Sequence, residues 1–151
     1  MKRRLVLGSA AALTAFVALP LVAGRSSKEV HVFKSRTCGC CGAWVRHMKA
    51  AGFAVTLTDV DDTTAARRRL GMPERFGSCH TVTVDGYVLE GHVPAGEVKR
   101  LLAAGIKAIG LAVPGMPNGA PGMAIGTRND AYQVLLIDHS GGASVYASYP
   151  K

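Results

Sequence analysis

Arg36-Thr37-Cys38-Gly39-Cys40-Cys41-Gly42-Ala43-Trp44 lies between two segments of different periodicity. Before it, Glu29-Val-His-Val-Phe-Lys34 alternates apolar and polar residues and is rich in Val and Phe, which is the pattern of a strand. After it, Cys41, Trp44, Val45, Met48 and Ala51 recur at the spacing of one helix face, and Gly52 supplies a stop. The stretch is therefore a strand-to-helix turn, and it carries three of the four cysteines. The fourth, Cys79, comes directly before His80. Three thiols within four residues do not serve packing alone, because each buries little area and all compete for one small space. Sulfur redox chemistry or a soft metal is the reason for them.

Working outward, Phe53-Ala-Val-Thr-Leu-Thr58 predicts a second strand. Asp62 or Thr63 caps a short helix over residues 65–70, which Gly71 ends. A loop over 72–78 delivers Cys79. Thr81-Val-Thr-Val84 and Tyr87-Val-Leu-Glu90 flank Asp85-Gly86, a strong hairpin signal. Pro94 opens another helix with Val98, Leu101 and Leu102 on its inner face and Gly105 at its end. The order is β-α-β-α-β-β-α. Residues 106–130 are rich in Gly and Pro and show no sustained period, so an ordered loop packed by its own apolar residues is expected there. Its length marks it as a segment with a job. Tyr132-Gln-Val-Leu-Leu-Ile137 and Ala143-Ser-Val-Tyr-Ala147 form a C-terminal hairpin. The fold class is α/β, in one domain.

The 151 residues suffice for a real core without staples. Lys2, Arg3 and Arg4 precede an apolar run from Leu5 to Ala23, and Ala23-Gly24 offers a small-residue exit. Residues 1–24 read as a cleaved signal peptide rather than a membrane anchor, with 25–151 as the mature domain, exported to the periplasm. Arg3-Arg4 also permits a twin-arginine route. Cleavage takes three positive charges from the formal +8 and leaves +5. Arg67-Arg68-Arg69 falls in a predicted helix and reads as a solvated face, and export also argues against nucleic acid as a partner. Four cysteines in an oxidising compartment first suggest two disulfides. However, bridges between Cys40 and Cys41, or Cys38 and Cys40, would close very small strained loops.

Cys38 and Cys41 form a C-x-x-C at the start of a helix, where free N–H groups and the positive dipole end favour thiolate. Arg36 adds positive potential if it turns inward. C-x-x-C at the first helix of a β-α-β-α-β-β-α chain resembles the thioredoxin-like fold. In that fold the residue before the third strand, normally a cis-proline, sits against the C-x-x-C. Here Cys79-His80 occupy that position, so all four thiols are expected at one mouth. Soft thiolates suit Cu(I), zinc or an iron–sulfur cluster. Structural zinc prefers two separated C-x-x-C knuckles, and iron–sulfur assembly outside the cytoplasm is disfavoured. The adjacent Cys40-Cys41 pair suits bridging thiolates in a polynuclear Cu(I) cluster.

Five segments, Thr37–Trp44, Ser78–Thr81, Val84–Val88, Glu90–Pro94 and Gly110–Pro117, resemble the CopG-type family, exported thioredoxin-like proteins of copper-resistance systems. The similarity runs from about Val30 to the final hairpin. It implies copper binding by Cys38, Cys40, Cys41 and Cys79, a redox role between Cu(I) and Cu(II), and other exported copper-handling or electron-transfer proteins as partners. The alternative is a thiol–disulfide oxidoreductase using Cys38 as nucleophile and Cys41 as resolving partner. A copper-dependent oxidoreductase combines the two.

His80 either caps a copper ion or bonds backbone, and Met116 and Met123 carry soft thioethers that otherwise plug the core. His92 reads as structural at a helix start. His31, His47 and His139 read as surface residues, Met48 as core, and Trp44 as the floor of the site.

Overall fold

The computed structural model describes residues 28–123 and 126–150. The expected signal peptide, 1–24, lies outside them. Seven strands form one mixed sheet in the order β2-β1-β3-β4-β5-β6-β7. The elements are β1 (Glu29–Lys34), α1 (Gly39–Ala50), β2 (Ala54–Asp59), α2 (Thr63–Arg69), a 3-10 turn (Glu74–Phe76), β3 (His80–Val84), β4 (Tyr87–Glu90), α3 (Ala95–Ala104), β5 (Gly110–Ala112), β6 (Tyr132–Ile137) and β7 (Ala143–Tyr149). The β-α-β-α-β-β-α order holds, as does the C-terminal hairpin. Among the described residues no helix is long and apolar enough to cross a membrane.

Side-chain alternation divides the sheet into two faces. Val30, Val32, Val82, Leu89, Leu111 and Val134 join Trp44, Met48, Val98 and Leu101 in the larger core beneath α1 and α3. Val88, Ala112 and Ile137 join Met72 and Phe76 in a smaller one on the other face. Each such fully buried aliphatic side chain stabilises by about 1.5–3 kcal/mol relative to exposure, so the larger core dominates. Asp62 caps α2 as expected, its Oδ1 accepting from the N–H groups of Thr64 (2.8 Å) and Ala65 (3.1 Å).

Four expectations are corrected. Residues 106–130 are not without regular structure: Gly110–Ala112 pair parallel to β4 and antiparallel to β6, and so join the hairpin to the main sheet. A three-residue strand buried on both faces has no alternation by which to be recognised. Arg67 is not on a solvated face, being only 4% exposed. His47 is half-buried, and its Nε2 accepts from the Ala95 N–H (3.0 Å), satisfying a free donor in the first turn of α3. His31 is likewise half-buried and bonded to the Thr58 hydroxyl at 2.7 Å.

The register decides what meets at the end of the sheet. β1 runs antiparallel to β3 with Lys34 opposite His80. β3 runs antiparallel to β4 with Thr81 opposite Glu90, and β4 runs parallel to β5 with Glu90 opposite Ala112. The chain therefore leaves β1, enters β3, leaves β4 and leaves β5 at one edge. These four segments are the cysteine turn, Cys79, His92 and the Gly/Pro loop.

Gly110 makes the β4–β5 contact possible. Its φ of 155° and the 1.8 Å that would separate an added Cβ from the Val88 carbonyl oxygen exclude any side chain. Gly110→Ala is expected to cost about 3 kcal/mol or more in urea unfolding. A change under about 0.5 kcal/mol would mean that β5 is not docked in solution.

Candidate metal centre

The site is assembled from chain ends. Cys38 is the N-cap of α1, without a side-chain capping bond, and Cys40 and Cys41 lie in the first turn. Cys41 and Trp44 are fully buried, and the indole N–H donates to the Val93 carbonyl (2.9 Å). Trp44 is thus the floor of the site, with its ring 4.7 Å from that of His80. Gly122, φ 83°, packs against the α1 backbone so closely that an added Cβ would lie 2.6 Å from the Trp44 nitrogen. The Gly/Pro loop therefore docks on the turn of helix that carries the cysteines.

The predicted convergence of the four thiols is observed, with all sulfurs within 4.8 Å of one another. Cys40 Sγ lies 3.7 Å from both Cys38 Sγ and Cys79 Sγ, and Cys41 Sγ lies 3.9 Å from Cys79 Sγ. Cys38 and Cys41 are joined as a disulfide, while Cys40 and Cys79 are free. One bridge forms, across the C-x-x-C, and not two. Arg36 is exposed.

Two histidines complete the cluster. His80, the first residue of β3, is fully buried, with Nδ1 3.2 Å from Cys79 Sγ and 3.4 Å from Cys41 Sγ. Its Nε2 is buried without a hydrogen-bond partner. His92 is 1% exposed, and its Nε2 lies 3.1 Å from Cys79 Sγ. Its Nδ1 lies 2.7 Å from the Pro121 carbonyl oxygen. A carbonyl only accepts, so Nδ1 carries the proton and the Nε2 lone pair faces the sulfur. This is the second-sphere contact that usually orients a ligating imidazole. His92, read from sequence as structural at a helix start, instead stands against Cys79 among the candidate donors. The Gly-His pair that closes β4 was its only signal, and only the β3–β4 register brings it to Cys79. Cys79, His80 and His92 form a second group with metal-holding geometry, sharing Cys79 with the first. Of the other candidates, Met123 is core and Met116 is 59% exposed. His139 is exposed as expected.

Burial governs the protonation of these groups. Desolvation, reinforced by the neighbouring Cys40, pushes Cys79 up to about 12, so the metal-free site holds a neutral thiol there. Burial, aided by His92, lowers His80 to about 3, and burial also lowers His92 and His47. Uncharged sulfur and nitrogen donors packed together in a dry pocket fit a soft cation, which enters as the protons leave.

The family model described as "Protein of unknown function, DUF411" matches residues 76–123. Two solved structures, described as "Copper resistance protein copG- Form 2" and "Copper resistance protein copG- Form 1", are 46% identical to this chain. Each alignment covers 83% of this chain and 100% of the other, with TM-scores of 0.79 and 0.78. No curated protein matches the chain.

The buried histidines predict an acid-sensitive fold. Below the ordinary value of 6.5 the unfolded chain takes up protons that these rings refuse until lower pH, so stability falls as pH falls. For His80 the window runs from 6.5 down to about 3. Thermal melts of the metal-free protein between pH 7.5 and 5 are expected to decline. His80→Gln is expected to reduce the slope by up to about 1.4 kcal/mol per pH unit. An unchanged slope in that variant would mean that the His80 ring meets solvent.

Proposed function

Since the chain belongs to the CopG-type family, we propose that it is an exported, periplasmic protein of copper resistance that binds Cu(I) through Cys38, Cys40, Cys41 and Cys79. The observation that carries this reading is the set of four sulfurs within 4.8 Å, supplied by two segments 38 residues apart at one sheet end. With sulfur–sulfur separations near 3.7 Å, one thiolate can bridge two ions. That supports more than one Cu(I) per chain, and soft thiolates select Cu(I). Nδ1 of His80 and Nε2 of His92 are nitrogen donors at the Cys79 side of the cluster. Met116, exposed on the Gly/Pro loop, carries a further soft thioether. The mature domain, 25–151, is released from its signal peptide, and other exported copper-handling or electron-transfer proteins pass copper or electrons to it.

The Cys38–Cys41 bridge supports a redox extension of this reading. Four thiolate ligands are available only after the bridge is reduced. In the reverse direction, two thiolates joining as a disulfide release two electrons, which reduce two Cu(II) to two Cu(I). The same bridge favours the second reading, a thiol–disulfide oxidoreductase with Cys38 attacking and Cys41 resolving. Catalysed reduction of a protein disulfide by the metal-free protein, lost in Cys38→Ser, would favour that alternative. Turnover no faster than free dithiol would remove it.

Anaerobic Cu(I) titration followed by native mass spectrometry tests the main reading. The reduced protein is expected to take up more than one Cu(I), and Cys79→Ser to lose at least one with a weaker remainder. Unchanged stoichiometry and affinity in Cys79→Ser would exclude the four-thiol site. His92→Ala is expected to keep the fold and lower affinity by about tenfold or more. Full retention of affinity would leave sulfur as the sole donor type.

A further inference from the structure

Arg67 and Glu90 are a buried ion pair on the face of the sheet opposite the thiol-bearing helix. Arg67 is 4% exposed and Glu90 fully buried. Arg67 Nε lies 2.8 Å from Glu90 Oε1, and the Thr81 hydroxyl donates to Glu90 Oε2 at 2.7 Å. Removing both charges from water is seldom repaid by their mutual attraction alone, so a pair of this kind calls for a further reason.

The reason lies one residue before Cys79. The Ser78 N–H donates to Glu90 Oε1 (2.7 Å), and the Ser78 carbonyl accepts from Arg67 Nη2 (2.8 Å). The pair therefore grips both backbone polar groups of Ser78. Neighbouring glycines let it approach. An added Cβ at Gly77 would lie 3.0 Å from Arg67 Nη1, and one at Gly91 would lie 2.7 Å from Ser78 Cβ. On the open side, the Ser78 hydroxyl donates to the Gly115 carbonyl, and the Gly115 N–H donates to the Gly77 carbonyl (3.0 Å). Ser78 and Cys79 precede β3 and belong to no regular element, so the sheet ladder does not hold them.

We propose that the Arg67–Glu90 pair is the positioning device of the metal centre: by clamping the Ser78 peptide groups from behind the sheet, it holds Cys79 within bonding range of the ions that the other thiols share. It rests on the copper-site reading for its ligand but not for its geometry. The planar guanidinium is required, because Nη2 donates to the Ser78 carbonyl while Nε, which makes no hydrogen bond, is held 2.8 Å from Glu90 Oε1 as an ion-pair contact. A lysine offers one point charge and cannot do both.

A double-mutant cycle against Cys79 tests the clamp. Arg67→Lys is titrated with Cu(I) in competition with a colorimetric chelator, alone and combined with Cys79→Ser. Expected is a loss of about tenfold or more where Cys79 is present, and no further loss where it is absent. A purely structural role would lower affinity equally in both backgrounds, and that result, or no loss in either, overturns the proposal. If Arg67→Lys does not fold, Arg67→Met/Glu90→Leu, which leaves no unpaired buried charge, takes its place in the same cycle. If Cys79→Ser alone leaves copper binding unchanged, the four-thiol reading has failed and a copper-free measurement decides the clamp. In Cys40→Ser with the Cys38–Cys41 bridge intact, maleimide labelling of Cys79 should be about tenfold faster after Arg67→Lys, and an equal rate overturns the clamp.

Discussion

Antiparallel pairing of β1 with β3 sets Lys34 opposite His80, so the turn that leaves β1 and the segment that enters β3 share one end of the sheet. Everything chemical in the molecule follows from that adjacency. Cys38, Cys40 and Cys41 lie just beyond the end of β1, and Cys79 lies just before β3. The β3–β4 register adds His92 from a third segment, and β5, parallel to β4, sends the Gly/Pro loop out beside it. Slipping the β1–β3 pair by one residue would turn His80 to the opposite face, away from Trp44 and Cys41.

The cluster collects soft donors and removes water from them. Cys41, His80 and His92 are almost wholly buried, and Trp44 closes the floor. In such surroundings charged forms are penalised, which keeps the Cys79 thiol and the imidazoles neutral without a metal. A cation that displaces the thiol proton relieves that penalty, so metal uptake and proton release are linked. The Cys38–Cys41 bridge adds a second linkage, since when oxidised it would withdraw two sulfurs from the proposed ligand set.

The C-terminal extension belongs to the site as well as to the sheet. β5 extends the sheet beyond β4, and the loop after it reaches back to α1 through Gly122 and to His92 through the Pro121 carbonyl. It also meets the Cys79 segment at Gly77 and Ser78. Long loops usually cost order, but this one is held at several points around the donors, so its length reflects the number of contacts it makes.

The sequence by itself determined most of the elements and the crowding of soft donors. Alternation in residues 29–34, helical spacing after Cys41 and the Asp85-Gly86 turn are local signals, and the local structure obeys them. Thiol crowding around Cys40 is legible for the same reason, because soft-ligand chemistry follows from residue type. Only the tertiary structure decided which distant groups join. Arg67 reads as one of three exposed arginines until the sheet sets Glu90 beneath it, and His92 reads as a helix-start residue until β4 ends beside Cys79. β5 was invisible because a three-residue strand buried on both faces has no period. Strand register is a property of pairs of segments, and neither member of a pair records it alone.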